Sequence, residues 1–306
     1  MELGLNVQGK RFKWGKNLNK FLGFGSENLC LRTFAHCTFK NSIVLLYAAP
    51  SIKIRTMNKL HLLLCSLAIS IFGCQSPEPS EPIDLTELTI EDIHQAYEKG
   101  VYNSQQLIQA YLDRIEQLDG KTNALTIINP KAISIAKELD EEYQRTKVLR
   151  PLHGIPLIVK DNINTKNLPT TGGALALKDF VPDEDAFIIQ KLVEAGAIII
   201  AKSNMAEWAF SPMHTESSTA GTTRNPYNLD YVPAGSSGGT ASSMAANLAV
   251  IGLGTDTGNS IRGPSSHCAL VGFRTTLGLV SRSAIIPLYG TNIDQTGLCL
   301  RTRYQT

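Results

Sequence analysis

The sequence predicts an α/β fold in which helices flank a mixed, largely parallel sheet. Segments whose apolar residues recur at helical spacing alternate with short apolar segments bounded by turn residues, a pattern typical of strands connected by helices. The composition is globular, with 43% hydrophobic and 18% charged residues among 306, which excludes a disordered or fibrous chain. The length allows one large domain or two small ones.

Five helices are predicted from capping residues and apolar spacing. The sequence Thr-Ile-Glu-Asp beginning at Thr89 is a capping box, and Gly100 ends the helix that follows it. Ser104 begins a second helix, whose apolar residues lie on one face. The remaining predicted helices cover residues 130–146, 185–194 and 240–247.

Four short strands are predicted between and after these helices. Each is an apolar segment bounded by polar or turn residues, and Gly196 separates the fourth helix from the strand that follows it. The predicted strands cover residues 125–128, 157–159, 197–201 and 249–254.

Charge divides the chain into two unlike parts. Residues 1–56 contain nine Lys and Arg against two Asp and Glu, whereas residues 57–306 contain 20 against 25. Because the basic residues of the first part do not line one face, a nucleic-acid-binding arm is disfavoured and no nucleic-acid partner is expected. We interpret residues 1–56 as a basic leader outside the fold, or as translated sequence upstream of a true start at Met57.

Residues 57–74 have the pattern of a secretory signal peptide. A short positive region precedes an apolar stretch of 13 residues, too short to span a bilayer as a helix, and Gly73 and Cys74 follow. This end resembles the lipobox of bacterial lipoproteins, although Phe72 departs from the usual small or aliphatic residue. We expect an exported bacterial protein, either periplasmic or held at the membrane by a lipid or the signal segment. Residues 75–83 are then a linker.

Three segments of the body carry candidate chemistry. The first ends an apolar strand in Lys160, where desolvation is expected to lower the pKa of the amine. The second is a Gly- and Ser-rich segment with the pair Ser236 and Ser237 before a helix. The third is a turn after a strand that leads to Ser260, the arrangement that an oxyanion hole requires. Taken singly, the first two are more simply explained as a lysine at a strand edge and a flexible loop.

The cysteines do not form a metal-binding pattern. The body of the chain contains Cys268 and Cys299, 31 residues apart, and neither a Cys-x-x-Cys motif nor a Cys/His ligand spacing. A metal site is therefore not expected, and no cofactor is predicted.

Together, the three segments resemble the amidase signature family. The family's hallmark reads Gly-Gly-Ser-Ser-Gly-Gly, then a helix, then Gly-Thr-Asp-x-Gly-Gly-Ser-Ile-Arg, and residues 235–239 and 254–262 match it in the same order. Residues 154–162, 202–207 and 223–226 extend the resemblance, which runs from about residue 85 to 297. It implies the amidase-signature fold, a mixed, largely parallel sheet flanked by helices.

The resemblance also implies a Ser–cisSer–Lys mechanism acting on a small or peptidyl carboxamide. Ser260 would attack the amide carbonyl, Ser236 in a cis peptide would relay the proton, and neutral Lys160 would be the base. Asp256 and Arg262 would be structural. The backbone amides of Thr257, Gly258, Asn259 and Ser260 would form the oxyanion turn, and the neighbouring Ser237 would support the hydrogen-bond network.

Two positions and the end of the chain depart from the family pattern. Asn259 stands where the family has glycine before the nucleophile, and Asn tolerates a left-handed turn at some cost. Ala269 also replaces a usual glycine, so its side chain is expected to crowd the backbone. Because the pattern is lost after Gly297, we interpret residues 84–306 as the N-terminal part of an amidase domain, incomplete in this chain.

Three functions follow from the resemblance. The first is an exported amidase that hydrolyses a carboxamide to an acid and ammonia or an amine. The second is a transamidating protein similar to the A component of glutamyl-tRNA(Gln) amidotransferase, which the export signal disfavours because that component works in the cytoplasm with partner proteins. The third is an inactive, truncated remnant.

A rival interpretation places a different serine in the active site. Residues 235–239 match Gly-x-Ser-x-Gly around Ser237, and Asp256 and His267 follow in α/β-hydrolase order. That motif should follow an apolar strand, which the sequence does not provide here, so this interpretation is disfavoured.

Overall fold

The computed structural model describes residues 82–288, together with the backbone of the short strands Asn6–Val7, Lys10–Arg11 and Gln295–Leu300. The chain divides into two units, Met1–Glu78 and Pro79–Thr306. In the first unit, β1 (Asn6–Val7) pairs with β2 (Lys10–Arg11) in antiparallel orientation. The predicted signal segment, the rest of the leader and most of the linker lie outside the described residues, so these predictions stay predictions.

One sheet organises the second unit. Its strands are β3 (Leu125–Ile128), β4 (Pro156–Lys160), β5 (Ile198–Ser203), β8 (Ile251–Asp256), β9 (Val271–Arg274) and β10 (Gln295–Leu300). A separate small hairpin consists of β6 (Glu216–Ser217) and β7 (Gly221–Thr222).

The order of the strands is β3-β5-β4-β8-β10-β9. Parallel pairing is confined to the centre, where β4 pairs with β5 on one side and β8 on the other. The outer pairings, β3 with β5, β8 with β10 and β10 with β9, are antiparallel. The predicted α/β class with a mixed sheet is therefore confirmed, but the described strands of this sheet are not largely parallel, since two of their five pairings are parallel.

Six α-helices are described around this sheet. They are α1 (Ile90–Lys99), α2 (Ser104–Thr122), α3 (Ala132–Thr146), α4 (Phe187–Glu194), α5 (Gly238–Ala245) and α6 (Arg262–His267). Short 3₁₀ turns occur at Leu175–Leu177 and Glu207–Ala209. Helix α2 packs against α3, and α5 packs against β4, β5 and β8.

The ends of α1 are those that the sequence predicts. The Thr89 hydroxyl accepts a hydrogen bond from the Asp92 N–H at 3.1 Å, and the Asp92 carboxylate accepts one from the Thr89 N–H at 3.1 Å. Gly100 ends the helix in the left-handed conformation, with φ 67°. The capping box is therefore confirmed.

Helix α5 begins and ends two residues earlier than predicted. The Gly238 N–H donates to the Thr215 hydroxyl at 3.0 Å, and the Gly239 N–H donates to the Asn204 carbonyl at 3.1 Å. These acceptors are distant in sequence. They satisfy N–H groups of the first turn, which have no hydrogen-bond partner within the helix. All residues of α5 are buried, and most are Gly, Ala or Ser.

The core forms where the helices cover the sheet. Leu157, Ile158 and Val159 of β4 are fully buried, as are Ile198 and Ile200 of β5. Continuous apolar strands of this kind are typical of parallel strands covered on both faces. Among the described residues, no helix is long and apolar enough to cross a membrane.

Replacing Gly239 by alanine is expected to lower the free energy of unfolding by about 1–3 kcal/mol. A Cβ at this position would collide with the carbonyl oxygens of Asn204 and Ala124, which are backbone atoms and cannot rotate away. The matched control is Gly120→Ala in α2, where a Cβ meets nothing within 4 Å. This substitution should stabilise the helix by about 0.5–1 kcal/mol. Urea unfolding of both variants measures the difference. A Gly239→Ala chain as stable as the wild type would contradict this packing.

Candidate active site

The site lies at one edge of the sheet. The parallel strands β5, β4 and β8 end at Ser203, Lys160 and Asp256, so their carboxyl ends meet at this edge. In open α/β sheets, ligands bind beyond the carboxyl ends of the strands. The three candidate segments of the sequence meet there.

Lys160 is the fully buried last residue of β4. Its Nζ lies 2.7 Å from the Ser236 Oγ and 2.8 Å from the Thr255 Oγ1, and it donates a longer hydrogen bond of 3.5 Å to the Thr255 carbonyl. The lysine is therefore not a surface residue at a strand edge, because its amine is enclosed and directed at a serine.

Ser236 lies in a buried segment whose backbone is hydrogen-bonded on both sides of the serine. The peptide bond between Gly235 and Ser236 is cis, as the family resemblance implies. The Ser236 carbonyl accepts a hydrogen bond from the Ala206 N–H at 3.1 Å, and the Gly235 N–H donates to the Pro212 carbonyl at 3.1 Å. Residues 233–245 are all buried, so the Gly/Ser segment is part of the core rather than a flexible loop.

Ser260 lies next to this pair and is slightly more accessible. It keeps 6% exposure, whereas Ser236 and Lys160 keep none. Its carbonyl accepts a hydrogen bond from the Ser237 N–H at 3.1 Å, and the Ser237 hydroxyl donates to the Thr255 carbonyl at 3.1 Å. The structure thus brings Lys160 and Ser236 into direct contact, and Ser237 joins the segment of Ser236 to that of Ser260.

The predicted oxyanion turn connects β8 to Ser260. Gly258 is exposed at the tip, and Thr257 and Asn259 are half-buried. Neither Gly258 nor Asn259 has a positive φ. The expectation that Asn259 must tolerate a left-handed conformation is therefore wrong, because the turn does not require one at either position.

The second departure, Ala269, does have a structural consequence. Its φ is 53°, in the left-handed region that favours glycine. It follows α6, where its N–H donates to the Ser266 carbonyl at 3.4 Å. The usual glycine at this position is therefore explained by the backbone conformation, and alanine adopts it at a cost of about 1 kcal/mol.

Asp256 and Arg262 form a structural ion pair. The Arg262 Nε and Nη2 donate to the two carboxylate oxygens of Asp256 at 3.0 and 3.2 Å, and the Arg274 Nε lies 3.7 Å away. Burial alone would raise the pKa of Asp256, but the hydrogen bonds from Arg262 and from the Ile261 N–H outweigh it and lower this pKa. The pair fixes the start of α6 beside Ser260.

These contacts do not assemble the rival α/β-hydrolase site. The Ser237 hydroxyl is directed at the Thr255 carbonyl, and the Asp256 carboxylate is occupied by Arg262. His267, exposed at the end of α6, uses its carbonyl to accept from Asn225 at 2.9 Å. Neither the serine nor the carboxylate is oriented by a histidine.

A second buried charge cluster lies beside Lys160. The Lys202 Nζ lies 3.6 Å from the Asp161 Oδ1, and both side chains are fully enclosed. Lys202 also donates to the Ile163 carbonyl at 2.7 Å, and to the hydroxyls of Thr165 and Thr170 at 3.0 and 2.8 Å.

Burial moves both members of this pair towards their neutral forms. It lowers the pKa of Lys202 to about 8, against the charge of Asp161, which favours the ammonium. It raises the pKa of Asp161, although the charge of Lys202 and the hydrogen bonds from Thr171 oppose this.

Two residues at the site were missed by the sequence analysis. The Thr255 Oγ1 accepts from Lys160 and, at 3.1 Å, from the Asn162 Nδ2. Asn162 also donates to the Ile286 carbonyl at 3.1 Å. Both residues lie within the segments that match the family pattern, 154–162 and 254–262, but the sequence assigned them no role because their contact depends on the pairing of β4 with β8.

The fold and this cluster define the class of protein: an α/β protein with a buried contact between a lysine and a serine at the carboxyl ends of its parallel strands. Comparison with known families agrees, since the model of the Amidase family matches residues 106–303. The chain belongs to the amidase family.

Individual relatives point to two kinds of amidase-family protein. One kind is the A component of glutamyl-tRNA(Gln) amidotransferase: the chain is 46% identical over 216 residues to that of Lawsonia intracellularis, and 42% identical over 219 residues to that of Alkaliphilus metalliredigens. The other kind is a peptide amidase: the structure of this chain is similar to that of the native peptide amidase of Stenotrophomonas maltophilia, with a TM-score of 0.69 and 40% identity over 72% of this chain. The chain spans 44% of each curated relative and 46% of the peptide amidase.

Proposed function

We propose that this chain cleaves amide C–N bonds through an acyl-enzyme on Ser260. The observation that carries the proposal is the enclosed contact of 2.7 Å between the Lys160 Nζ and the Ser236 Oγ, to which the Ser260 segment is joined by the hydrogen bond from the Ser237 N–H to the Ser260 carbonyl. A buried amine next to a serine hydroxyl is suited to accept its proton, because no water competes for the lone pair.

The proposed reaction proceeds in two steps. The Ser260 Oγ attacks the amide carbonyl carbon while its proton passes to the Ser236 Oγ, and the Ser236 proton passes to the Lys160 Nζ. The C–N bond then breaks, and the proton returns through Ser236 to the leaving ammonia or amine. The amides of Thr257, Gly258, Asn259 and Ser260 would stabilise the oxyanion. In the second step water attacks the acyl carbon and gives up a proton through Ser236 to Lys160; the bond between the acyl group and the Ser260 Oγ breaks, and the proton returns through Ser236 to Ser260 as the acid leaves.

Two substrate classes are supported by different observations. The structural similarity to a peptide amidase and the predicted signal segment favour hydrolysis of a small or peptidyl carboxamide. The similarity to glutamyl-tRNA(Gln) amidotransferase components favours a second candidate, release of ammonia from a carboxamide for transfer to an acceptor. Both classes use the same acyl-enzyme. They differ in the substrate and in whether the released ammonia is transferred to an acceptor.

The full chain is expected to react with a fluorophosphonate probe at Ser260. Intact mass should increase by one adduct, and peptide mapping should place it on the peptide that contains Ser260. Heat-unfolded protein is the control and should not react. A folded sample that stays unlabelled would contradict the proposal and support an inactive remnant. Ammonia release from peptide carboxamides and from glutamine, measured side by side, then separates the two substrate classes.

A further inference from the structure

We propose that Thr255, held by Asn162, is a positioning residue that directs the lone pair of Lys160 at Ser236. The inference rests on the proposed function and deepens it, because it names what orients the base. All four side chains are at least 97% buried, so bulk water does not compete for these contacts.

The first step of the argument is a count of hydrogen-bond donors on the amine. A neutral lysine carries two N–H groups and one lone pair. The two oxygens of Thr255 lie 2.8 and 3.5 Å from the Lys160 Nζ. If these oxygens accept the two N–H groups, the lone pair faces the Ser236 hydroxyl at 2.7 Å, as proton transfer requires.

The second step concerns the direction of the bond between Lys160 and the Thr255 hydroxyl. The Asn162 amide donates to the Ile286 carbonyl at 3.1 Å, and a carbonyl can only accept. This fixes the amide nitrogen towards Thr255, whose Oγ1 therefore accepts from Asn162 at 3.1 Å. With a second bond accepted from Lys160, both lone pairs of the hydroxyl are used, and its hydrogen points away from the amine.

The third step is the anchoring of Asn162 itself. Its carbonyl accepts a hydrogen bond from the Ile286 N–H at 2.8 Å, so backbone and side chain both bind the same residue of a distant segment. Asn162 is therefore held from two directions. A rigid donor fixes the orientation of Thr255, which in turn fixes the amine.

Charged groups near Lys160 are unchanged by substitutions at Thr255. Asp161 follows Lys160 in the chain, Lys202 belongs to the adjacent strand β5, and Asp256 follows Thr255 and is paired with arginines. An exchange of threonine for valine leaves all these charges in place. A changed pH profile would therefore report the lost hydroxyl.

The test compares Thr255→Val with Thr255→Ser in the full chain. The valine variant is expected to lower kcat/KM for amide cleavage by about 10- to 100-fold. It should also move the midpoint of the acidic limb of the pH profile down by about half a pH unit, because a lost acceptor disfavours the ammonium. The serine variant keeps the hydroxyl and should restore both values. A valine variant with wild-type rate and midpoint would overturn the inference.

A second variant and a structural readout keep the test independent of turnover. Asn162→Asp brings a carboxylate to the hydroxyl and should move the midpoint in the opposite direction, to higher pH. In a crystal structure of Thr255→Val, the distance from Lys160 Nζ to Ser236 Oγ should exceed about 3.5 Å, whereas Thr255→Ser should keep the contact. An unchanged distance in the valine variant overturns the inference about Thr255, whether or not the wild type cleaves amides. A wild type that cleaves no amide counts against the proposed function instead.

Discussion

Replacing Ser260 by alanine is expected to reduce amide cleavage by at least about 10⁴-fold, because the acyl-enzyme can no longer form. The change removes one hydroxyl at a position with 6% exposure and leaves no buried partner unsatisfied, so the fold should persist. Steady-state ammonia release measures the rate, and thermal unfolding shows that the variant is folded.

The control for Ser260→Ala is Ser134→Ala in α3. The Ser134 hydroxyl is exposed and donates to the carbonyl of Lys131, the residue before this helix, so its removal should leave the rate unchanged. If Ser260→Ala kept more than about one hundredth of the activity, another group would have to be the nucleophile. In that case the proposal of an acyl-enzyme on Ser260 would be wrong.

Replacing Lys202 by methionine is expected to lower the free energy of unfolding by about 3–5 kcal/mol. Methionine has a similar length but leaves Asp161 buried without the ammonium 3.6 Å away. It also removes the donor to the Ile163 carbonyl and to the hydroxyls of Thr165 and Thr170. Urea unfolding near pH 7 measures the loss.

A surface lysine provides the matched control for this substitution. Lys137 lies 3.8 Å from Glu141, and both side chains are about two-thirds exposed, so Lys137→Met should cost less than about 0.5 kcal/mol. The double variant Asp161→Asn with Lys202→Met removes both charges and should recover part of the loss. Equal effects of Lys202→Met and Lys137→Met would show that the buried pair contributes nothing.

The pH dependence of the Lys202→Met effect has a definite sign. The pKa of Lys202 is about 8 in the folded chain and about 10.5 in the unfolded chain, so the unfolded chain binds more protons between these values. The contribution of Lys202 to the free energy of unfolding therefore rises with pH in this window. The stability difference between wild type and Lys202→Met should grow from about pH 7.5 to 9.5, and a shrinking difference would contradict the lowered pKa.

Local patterns predicted much of the fold correctly. The capping box at Thr89 needs neighbours within three residues, and β3 is bounded by its own polar flanks, so both elements follow from the adjacent sequence. The family motifs placed Lys160, Ser236 and Ser260 before any contact was known. The capping box and the strand depend on residue type and spacing, whereas the three site residues depend on the family resemblance.

What escaped prediction depends on contacts between distant segments. The start of α5 is set by acceptors from Asn204 and Thr215, and the ion pair of Asp161 requires a lysine 41 residues later. Helix α6 and strand β9 were not predicted, because their short segments have neither helical spacing nor an alternating pattern. The role of Thr255 becomes visible only when β8 pairs with β4.

The tightly packed helix α5 also determines where the sequence is free to vary. All its side chains are enclosed and most are small, so larger residues would collide with the segments packed around the helix, as a Cβ at Gly238 or Gly239 already would. The segment that contains Trp208, Phe210 and Met213 exposes its large side chains instead. In a randomised library, folded chains should therefore be rare when α5 is varied and common when this exposed segment is varied.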